Sequence, residues 1–296
     1  MNGIIVIDKP QGMTSHDVVS VLRRKTGVKR IGHSGTLDPM ATGVLPVFIG
    51  KATRVIEYAG DPFDQEAKHY RCEMKLGIET DTQDIWGKEL VCDENAIIPC
   101  ISEVTDVLKS FEGESTQRPP MYSAIKVKGR KLYEYARKGT SVDEGLIKER
   151  KIYIKHINVI GFDPESGEVS FDVFCSKGVY IRTICADAGR ILGCGAVMSG
   201  LRRLKSDGFS IDLAVSLDEV IHGDMPALMP LDTPLGWMKK EETDDESAKA
   251  LAQGKVIDAK NKGDGPVRVY SADSFIGIGK YTDDHKIKPE KVLIRL

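Results

Sequence analysis

The sequence predicts an α+β fold in which a mixed, mainly antiparallel sheet is flanked by helices. Hairpin turns join strand-like segments, helical segments interrupt them, and several short strand-like segments follow one another after residue 237. The chain has 296 residues, which is long enough for one large domain followed by a small one.

The N-terminal segments predict a strand, a helix and a second strand. The apolar run in "GIIVIDKP" predicts a buried strand that ends at Pro10. Residues 15–26 predict a helix with Ser15 as its N-cap, apolar residues at helical spacing and Gly27 as its terminator. The following strand, in "ATGVLPVFIGKATRV", is predicted to end at Gly50.

The middle of the chain predicts most of the sheet. Residues 67–77 alternate in polarity, which is typical of a half-buried strand. A helix is predicted from Glu94 or Pro99 to Phe111, because apolar residues recur there at three- and four-residue steps. The turn "DPESGE" predicts a hairpin, and "EVSFDVFCSKGVYIRTICADAGRIL" predicts a strand followed by a helix.

The composition changes near residue 238. A charged stretch is followed by short segments separated by glycine, "GKVIDA", "GPVRVY", "SFIGIGKY" and "KVLIRL". Such segments predict a small β-barrel domain. We therefore expect two domains, at residues 1–237 and 238–296.

The composition also argues against several classes of protein. The apolar run at the N-terminus is too short for a signal peptide, and no run is long enough to span a membrane. The six cysteines form no C-x-x-C pair and the six histidines do not cluster with them, which argues against a zinc site or a disulfide framework. We expect a cytoplasmic protein that holds no metal.

The charges are distributed unevenly along a chain whose formal net charge is −2. Residues 1–55 hold eight Lys or Arg and three acids, and residues 118–138 hold seven Lys or Arg and one acid. Clusters of this kind predict basic faces that contact nucleic acid, although solvated surface cations are an equally good interpretation of either cluster alone.

Asp38 lies in "GHSGTLDPMATG", a stretch rich in residues that favour turns. Pro39 biases Asp38 away from helical conformations, and Gly35 and Gly43 permit turns that other residues resist. The stretch predicts a rigid loop between a helix and a strand. Such a loop is consistent with an active-site carboxylate and also with an ordinary turn.

Several stretches resemble, in order and spacing, the motifs of the pseudouridine synthases: "IDKPQGMTSHDVV", "KHYRCEMKLGIETDTQDIWG" and "SKGVYIRTICADAG". More narrowly, "RIGHSGTLDPMATGVLPVFIGKATR", "QRPPMYSAIKVKGRKLYEYARKG" and "GCGAVMSGLRRLKSDGF" are similar to the TruB branch, which isomerises uridine 55 in the T-loop of tRNA. "SFIGIGKY" is similar to part of a PUA domain. The resemblance covers nearly the whole chain and implies the pseudouridine synthase fold.

The resemblance implies that Asp38 is the nucleophile and that Arg182 pairs with its carboxylate. A carboxylate suits a reaction that detaches uracil from C1′ and rejoins it through C5, because an attacking carboxylate divides one difficult step into easier ones. Neither a metal nor an organic cofactor is required. Lys9 and Pro10 are expected to form the floor below the site.

The resemblance also implies a set of substrate contacts. Tyr70 stacks on the target base, Tyr180 lies on the same side of a strand as Arg182, Leu201 forms an apolar wall, and His33 enters the RNA when the base is extruded. From the residues alone, without the resemblance, Tyr70 and Leu201 are interpreted as core residues.

The resemblance implies tRNA as the partner. A thumb-like insertion at about 113–150 is expected to close over the T-stem-loop, with Tyr122, Tyr133 and Tyr135 among its cations, and the C-terminal domain to reach the acceptor arm. We expect a monomer without an obligate protein partner. Two alternatives stay open: a tRNA-folding module whose chemistry is dispensable, and a guide-dependent synthase, against which the long insertion argues. The P-loop pattern of nucleotide hydrolysis does not occur.

Overall fold

A computed structural model describes residues 1–92, 97–140 and 142–294 of the chain. These residues form two compact units. The first unit combines Met1–Phe63 with Ser206–Leu296, and the second unit is the contiguous segment Asp64–Lys205. The first unit is therefore built from both ends of the chain.

The described residues contain helices and strands of very different length. The α-helices are α1 (Ser15–Thr26), α2 (Ile101–Lys109), α3 (Leu132–Arg137), α4 (Ile181–Leu192), α5 (Leu217–His222) and α6 (Asp245–Ala252). The strands are β1 (Gly3–Lys9), β2 (Ile31–His33), β3 (Thr42–Ile49), β4 (Lys68–Leu76), β5 (Ile78–Thr80), β6 (Glu89–Cys92), β7 (Gly113–Gln117), β8 (Lys126–Val127), β9 (Arg130–Lys131), β10 (Arg150–Asp163), β11 (Glu168–Cys175), β12 (Ala196–Ser206), β13 (Phe209–Ser210), β14 (Val215–Ser216), β15 (Lys239–Thr243), β16 (Ile257–Asp258), β17 (Pro266–Ser271), β18 (Ser274–Tyr281) and β19 (Lys286–Val292).

In the first unit, β1 is an inner strand of a mixed sheet, next to the edge strand β14. It pairs in parallel with β14 and antiparallel with β3, and β2 pairs with the other edge of β3. The apolar residues of β1 are buried on both faces, as the run in the sequence predicts. On one face they pack with Val18, Val19 and Leu22 of α1. Each fully buried side chain of this kind contributes roughly 1.5 to 3 kcal/mol to the free energy of unfolding.

Helix α1 begins one residue earlier than its predicted cap implies. Thr14, not Ser15, is the N-cap: its side chain accepts from the Asp17 amide, and the Asp17 carboxylate accepts from the Thr14 amide in return. This reciprocal pair satisfies two amides that a helix start leaves without a helical partner. Gly27 ends α1 with a φ of 70°, as predicted.

The predicted C-terminal β domain is confirmed as a half-barrel. Its five strands follow the order β15-β17-β18-β19-β16. Two elements in the charged stretch were not predicted, the strand β15, which pairs in parallel with β17, and the helix α6. The end of the predicted strand "KVLIRL", residues 295 and 296, lies outside the described residues. The boundary between residues 237 and 238 stays a prediction.

The half-barrel shares a hydrophobic core with the N-terminal strands of the first unit. Ile278 and Leu293 are in the same buried cluster as Val6 of β1 and Phe48 of β3. Trp237 donates a hydrogen bond to the Tyr58 carbonyl at 3.1 Å on the same side. The two ends of the chain therefore depend on each other for burial.

In the second unit the strand order is β12-β4-β11-β10-β7. The predicted alternation of β4 is confirmed: Tyr70, Cys72 and Met74 are buried on one face. The predicted hairpin joins β10 to β11. Helix α4 packs on the buried face of β4, where the sulfur atoms of Cys185 and Cys72 are 3.6 Å apart.

The second unit also contains a small subdomain built from the basic stretch 118–138 and the residues that pack on it, here called the basic subdomain. The short strands β8 and β9 and the helix α3 enclose a cluster of Val127, Leu132 and Ile147. The predicted helix before it is α2; its alternative start at Glu94 lies outside the described residues. Among the helices of the described chain, none has the length and apolar character needed to cross a membrane.

Candidate active site

The loop that carries Asp38 joins β2 to β3 and is fixed by a buried lysine. Lys9 is 0% exposed, and its ammonium donates to the backbone carbonyls of Pro10, Met13 and Pro39 at 2.9, 2.6 and 3.0 Å. A lysine ammonium has three donors, so these three carbonyls compensate for the loss of its hydration. Lys9 therefore ties the end of β1 to the residue that follows Asp38.

A serine fixes the other side of the same loop. The Ser15 hydroxyl donates to the Leu37 carbonyl at 3.2 Å and accepts from the Leu37 amide at 2.9 Å. The predicted N-cap of α1 thus binds the residue before Asp38 instead. Asp38 itself is half-buried, and its carbonyl accepts from the Ala41 amide at 3.1 Å in a turn. Backbone contacts on both sides therefore set the conformation at Asp38, as expected for a rigid loop.

His33 precedes this loop as the last residue of β2. It pairs with Val47 of β3 in the antiparallel register and is half-buried. The structure thus brings His33 and Asp38 together on one connection of the first unit.

The other predicted site residues belong to the second unit. Tyr70 is 9% exposed on β4, opposite Val173 of β11. Leu201 is half-buried on β12. Tyr70 lies on a predicted strand, whereas the strand that carries Leu201 was not predicted. Both positions fit a core role and a substrate-binding role equally well.

Arg182 has a different local structure from the predicted one. Tyr180 and Arg182 do not share the side of a strand, because Tyr180 is the N-cap of α4 and Arg182 lies in its first turn. The extended backbone of Tyr180, with φ −98° and ψ 104°, changes to helix at Ile181. A pattern of alternate residues does not reveal such a change, because both conformations bury apolar residues in this stretch.

The Arg182 guanidinium is buried and holds two loops of the second unit. It is 4% exposed, and it donates to the Thr82 carbonyl at 3.0 Å and to the Tyr122 carbonyl at 2.9 Å. One carboxylate oxygen of Asp84 lies 3.5 Å away. The planar fork of an arginine suits such divergent acceptors, which a lysine cannot reach together.

Two residues near Arg182 were not predicted from the sequence. Asp84 contributes the carboxylate just described, and Gln117 forms two hydrogen bonds with the backbone of Tyr180. Both lie inside stretches that carried the resemblance, "ETDTQDIWG" and "QRPPMYS". Their occurrence in these motifs was the only indication in the sequence that Asp84 and Gln117 belong to the site. The motifs do not indicate which residues the two side chains contact.

Tyr122 links the second loop to the first. Its hydroxyl donates to an Asp81 carboxylate oxygen at 3.2 Å. Partial burial, together with the negative charge of Asp81, raises the pKa of the Tyr122 hydroxyl above its ordinary value. The hydroxyl therefore stays protonated near neutral pH and keeps this hydrogen bond.

The basic subdomain presents its cations to solvent. Lys126, Lys128 and Arg130 are exposed, and Lys131 and Arg137 each lie 5.4 Å from the centre of the Tyr133 ring. Cations next to an aromatic ring can neutralise phosphates while the ring stacks on a base. Within the described residues, no group of three or more His, Cys, Asp and Glu side chains is placed to hold a metal ion.

Comparison with known proteins gives matches along nearly the whole chain. The family model described as TruB family pseudouridylate synthase (N terminal domain) matches residues 23–181. The model of the tRNA pseudouridylate synthase B C-terminal domain matches residues 182–235, and that of the TruB C-terminal region of pseudouridine synthase II matches residues 242–293.

Curated relatives and solved structures agree with these matches. The tRNA pseudouridine synthase B of Alkaliphilus oremlandii is 45% identical, over 99% of this chain and 98% of the relative. That of Clostridium tetani is 42% identical, over 96% and 97%. A crystal structure of a Cbf5-Nop10-Gar1 complex contains a chain with a TM-score of 0.73 and 26% identity, over 99% of this chain and 85% of that chain. The chain therefore belongs to the TruB family of pseudouridine synthases.

Proposed function

We propose that this enzyme isomerises uridine 55 in the T-loop of tRNA to pseudouridine, without a cofactor. The observation that carries the proposal is the family match over a chain whose Asp38 lies on a loop fixed by Lys9 and Ser15. The identity of 45% to a tRNA pseudouridine synthase B supports tRNA as the substrate.

The proposed reaction breaks the bond between C1′ and N1 and forms a bond between C1′ and C5. The proton that leaves C5 is balanced by the proton that N1 gains, so no oxidant, reductant or water is consumed. Asp38 acts by attack on C1′, by addition to C6 or through a glycal route. All three routes need an ionised carboxylate, and Arg182 is proposed to stabilise that charge.

The proposed substrate contacts follow the chemistry of an extruded base. Tyr70 offers a stacking face, Tyr180 and Leu201 line the pocket, and His33 fills the space that the uracil leaves in the T-loop. Leu201 and His33 are half-buried and Tyr70 is slightly exposed. This partial exposure is compatible with side chains that a planar base contacts.

The proposed RNA contacts outside the pocket are electrostatic. The exposed cations of the basic subdomain suit the phosphates of the T-stem-loop, and the half-barrel is proposed to reach the acceptor arm. We propose that the enzyme is a cytoplasmic monomer that needs no partner protein.

The test is pseudouridine formation in a T-stem-loop RNA by the purified chain. Asp38→Asn is expected to lower the single-turnover rate at least about 10³-fold, because the amide cannot replace the ionised carboxylate. Asp218→Asn, which changes an exposed acid of α5 in the same way, is the matched control and is expected to leave the rate unchanged. An active Asp38→Asn variant or an inert wild type would contradict the proposal.

This assay, together with measurements in cells, separates the two alternatives. Activity of the chain alone, without guide RNA, contradicts the guide-dependent interpretation. A tRNA-folding module predicts that Asp38→Asn retains both RNA binding and its benefit to cells. Loss of position-55 pseudouridine in bulk tRNA from cells that lack the protein, without loss elsewhere, would identify the substrate.

A further inference from the structure

Gln117 is the last residue of β7 and has a fixed backbone. Its main chain lies opposite Arg150 in the antiparallel register of β7 and β10. The residue is 7% exposed, although a glutamine is ordinarily a surface residue. A buried amide needs partners for its donor and its acceptor, and both partners of Gln117 come from a single residue.

The Gln117 side chain binds the backbone of Tyr180 at two points. Its Nε2 donates to the Tyr180 carbonyl at 3.0 Å, and its Oε1 accepts from the Tyr180 amide at 2.8 Å. The carboxamide thus pairs with Tyr180 as a neighbouring strand would. Only one orientation of the amide satisfies both contacts, so the two hydrogen bonds together fix the Tyr180 carbonyl and amide relative to Gln117.

Tyr180 is the N-cap of α4, and the amide of its extended backbone has no partner within the helix. Two residues later, Arg182 is held by the Tyr122 carbonyl at 2.9 Å. Residues 117 and 122 therefore bind residues 180 and 182 at neighbouring points. The contact between Gln117 and Tyr180 holds the residue that precedes the first turn of α4. It therefore constrains the position of Arg182, which lies in that turn.

We propose that Gln117 is a positioning residue of the synthase, which holds Tyr180 and Arg182 in the geometry that the reaction needs. The inference rests on the proposed function, because Tyr180 and Arg182 are its substrate-binding and charge-stabilising residues. Gln117 acts through the backbone of Tyr180 and not on the RNA. Its loss therefore lowers the rate of the chemical step and leaves RNA affinity nearly unchanged.

The test compares single-turnover rates and dissociation constants on a T-stem-loop RNA. Gln117→Met keeps the length of the side chain but removes both hydrogen bonds, and we expect the rate to fall about tenfold or more. The dissociation constant should change less than about twofold, since the variant keeps every cation that can bind a phosphate. Ser110→Ala is the control, because it removes a side-chain hydrogen bond, to the Val107 carbonyl, outside the insertion at 113–150; both quantities should stay unchanged.

A second variant tests the hydrogen bonds themselves. In Gln117→Glu, an ionised carboxylate accepts from the Tyr180 amide but repels the Tyr180 carbonyl. Once protonated, the same group donates to that carbonyl and restores both contacts. The rate relative to wild type should therefore rise as the pH falls from about 8 to about 5.5, because burial raises the pKa of a carboxyl group toward this range. The corresponding ratio for Gln117→Met should stay flat.

The outcomes are distinguishable from those of the proposed function. An inert wild type contradicts the proposed function, and with it this inference. An active wild type with a Gln117→Met rate within about twofold, or with rate and affinity reduced equally, overturns the positioning role alone. If Gln117→Met does not fold, Gln117→Glu decides, and a rate ratio that does not rise at low pH overturns the inference.

Discussion

Asp38 and Arg182 lie on segments that are supported in opposite ways. The Asp38 loop is held by side chains from elsewhere, Lys9 and Ser15, which bind its backbone. Arg182 is itself the support, because its guanidinium binds the backbone carbonyls of two loops. The difference teaches that the conformation of the Asp38 loop depends on side chains from other segments, whereas the Arg182 side chain itself determines how two loops are held.

Among the variants that test this comparison, the largest effect is expected from Lys9→Met, which removes one support of the Asp38 loop. It removes the ammonium that donates to the carbonyls of Pro10, Met13 and Pro39, and it should lower the free energy of unfolding by about 3 kcal/mol. Urea denaturation measures the change. Lys51→Met alters an exposed lysine of the same unit and should change the free energy of unfolding far less. Equal effects of the two variants would show that Lys9 does not fix the loop.

An intermediate effect is expected from Arg182→Lys. A lysine keeps the charge but cannot reach the Thr82 and Tyr122 carbonyls together, so the single-turnover rate should fall at least about tenfold. The free energy of unfolding should also fall, because at least one of these two carbonyls loses its donor. Arg190→Lys, at an exposed position of the same helix, serves as the control. A fully active Arg182→Lys variant would remove the distinction between the two regions.

The smallest effect is expected from the basic subdomain, which supports neither segment directly through its cations. The double variant Lys126→Gln/Arg130→Gln should lower the slope of log affinity against log salt by about 0.7 for each phosphate that is no longer neutralised. The rate at saturating RNA should be unchanged. Lys109→Gln, at an exposed position of α2, is the reference. An unchanged slope in the double variant would mean that these cations do not contact the RNA.

Much of the fold could be predicted from local patterns. The burial of β1, the alternation of β4 and the hairpin between β10 and β11 each follow from side-chain spacing within one segment. The strand β15 could not be predicted, because its residues are charged and its place depends on parallel pairing with the distant β17. The cap of α1 was misplaced by one residue, since Thr14 and Ser15 are both good caps and Ser15 is used by the Asp38 loop.

The residues of the candidate site could be predicted where they belong to a recognisable sequence motif, but their contacts could not. Asp38 stood out through its neighbours in the sequence, and it lies on a loop. That loop joins β2 to β3 and not a helix to a strand as predicted, because the three-residue strand β2 was not predicted. The contacts of Gln117 and Asp84 could not be predicted, because they join residues separated by 63 and 98 positions in the chain, respectively. Their partners are backbone groups or a distant arginine, which leave no periodic pattern in the sequence.

The order of the two units along the chain has a consequence for biosynthesis. The second unit is contiguous, so it is complete when residue 205 has left the ribosome, whereas the first unit needs residues from both ends. Strands β1 and β3, which share a buried cluster with Ile278 and Leu293, must wait for the final strands of the half-barrel. The strands of the half-barrel therefore complete the buried core of the unit that carries Asp38 only after the whole second unit has been translated.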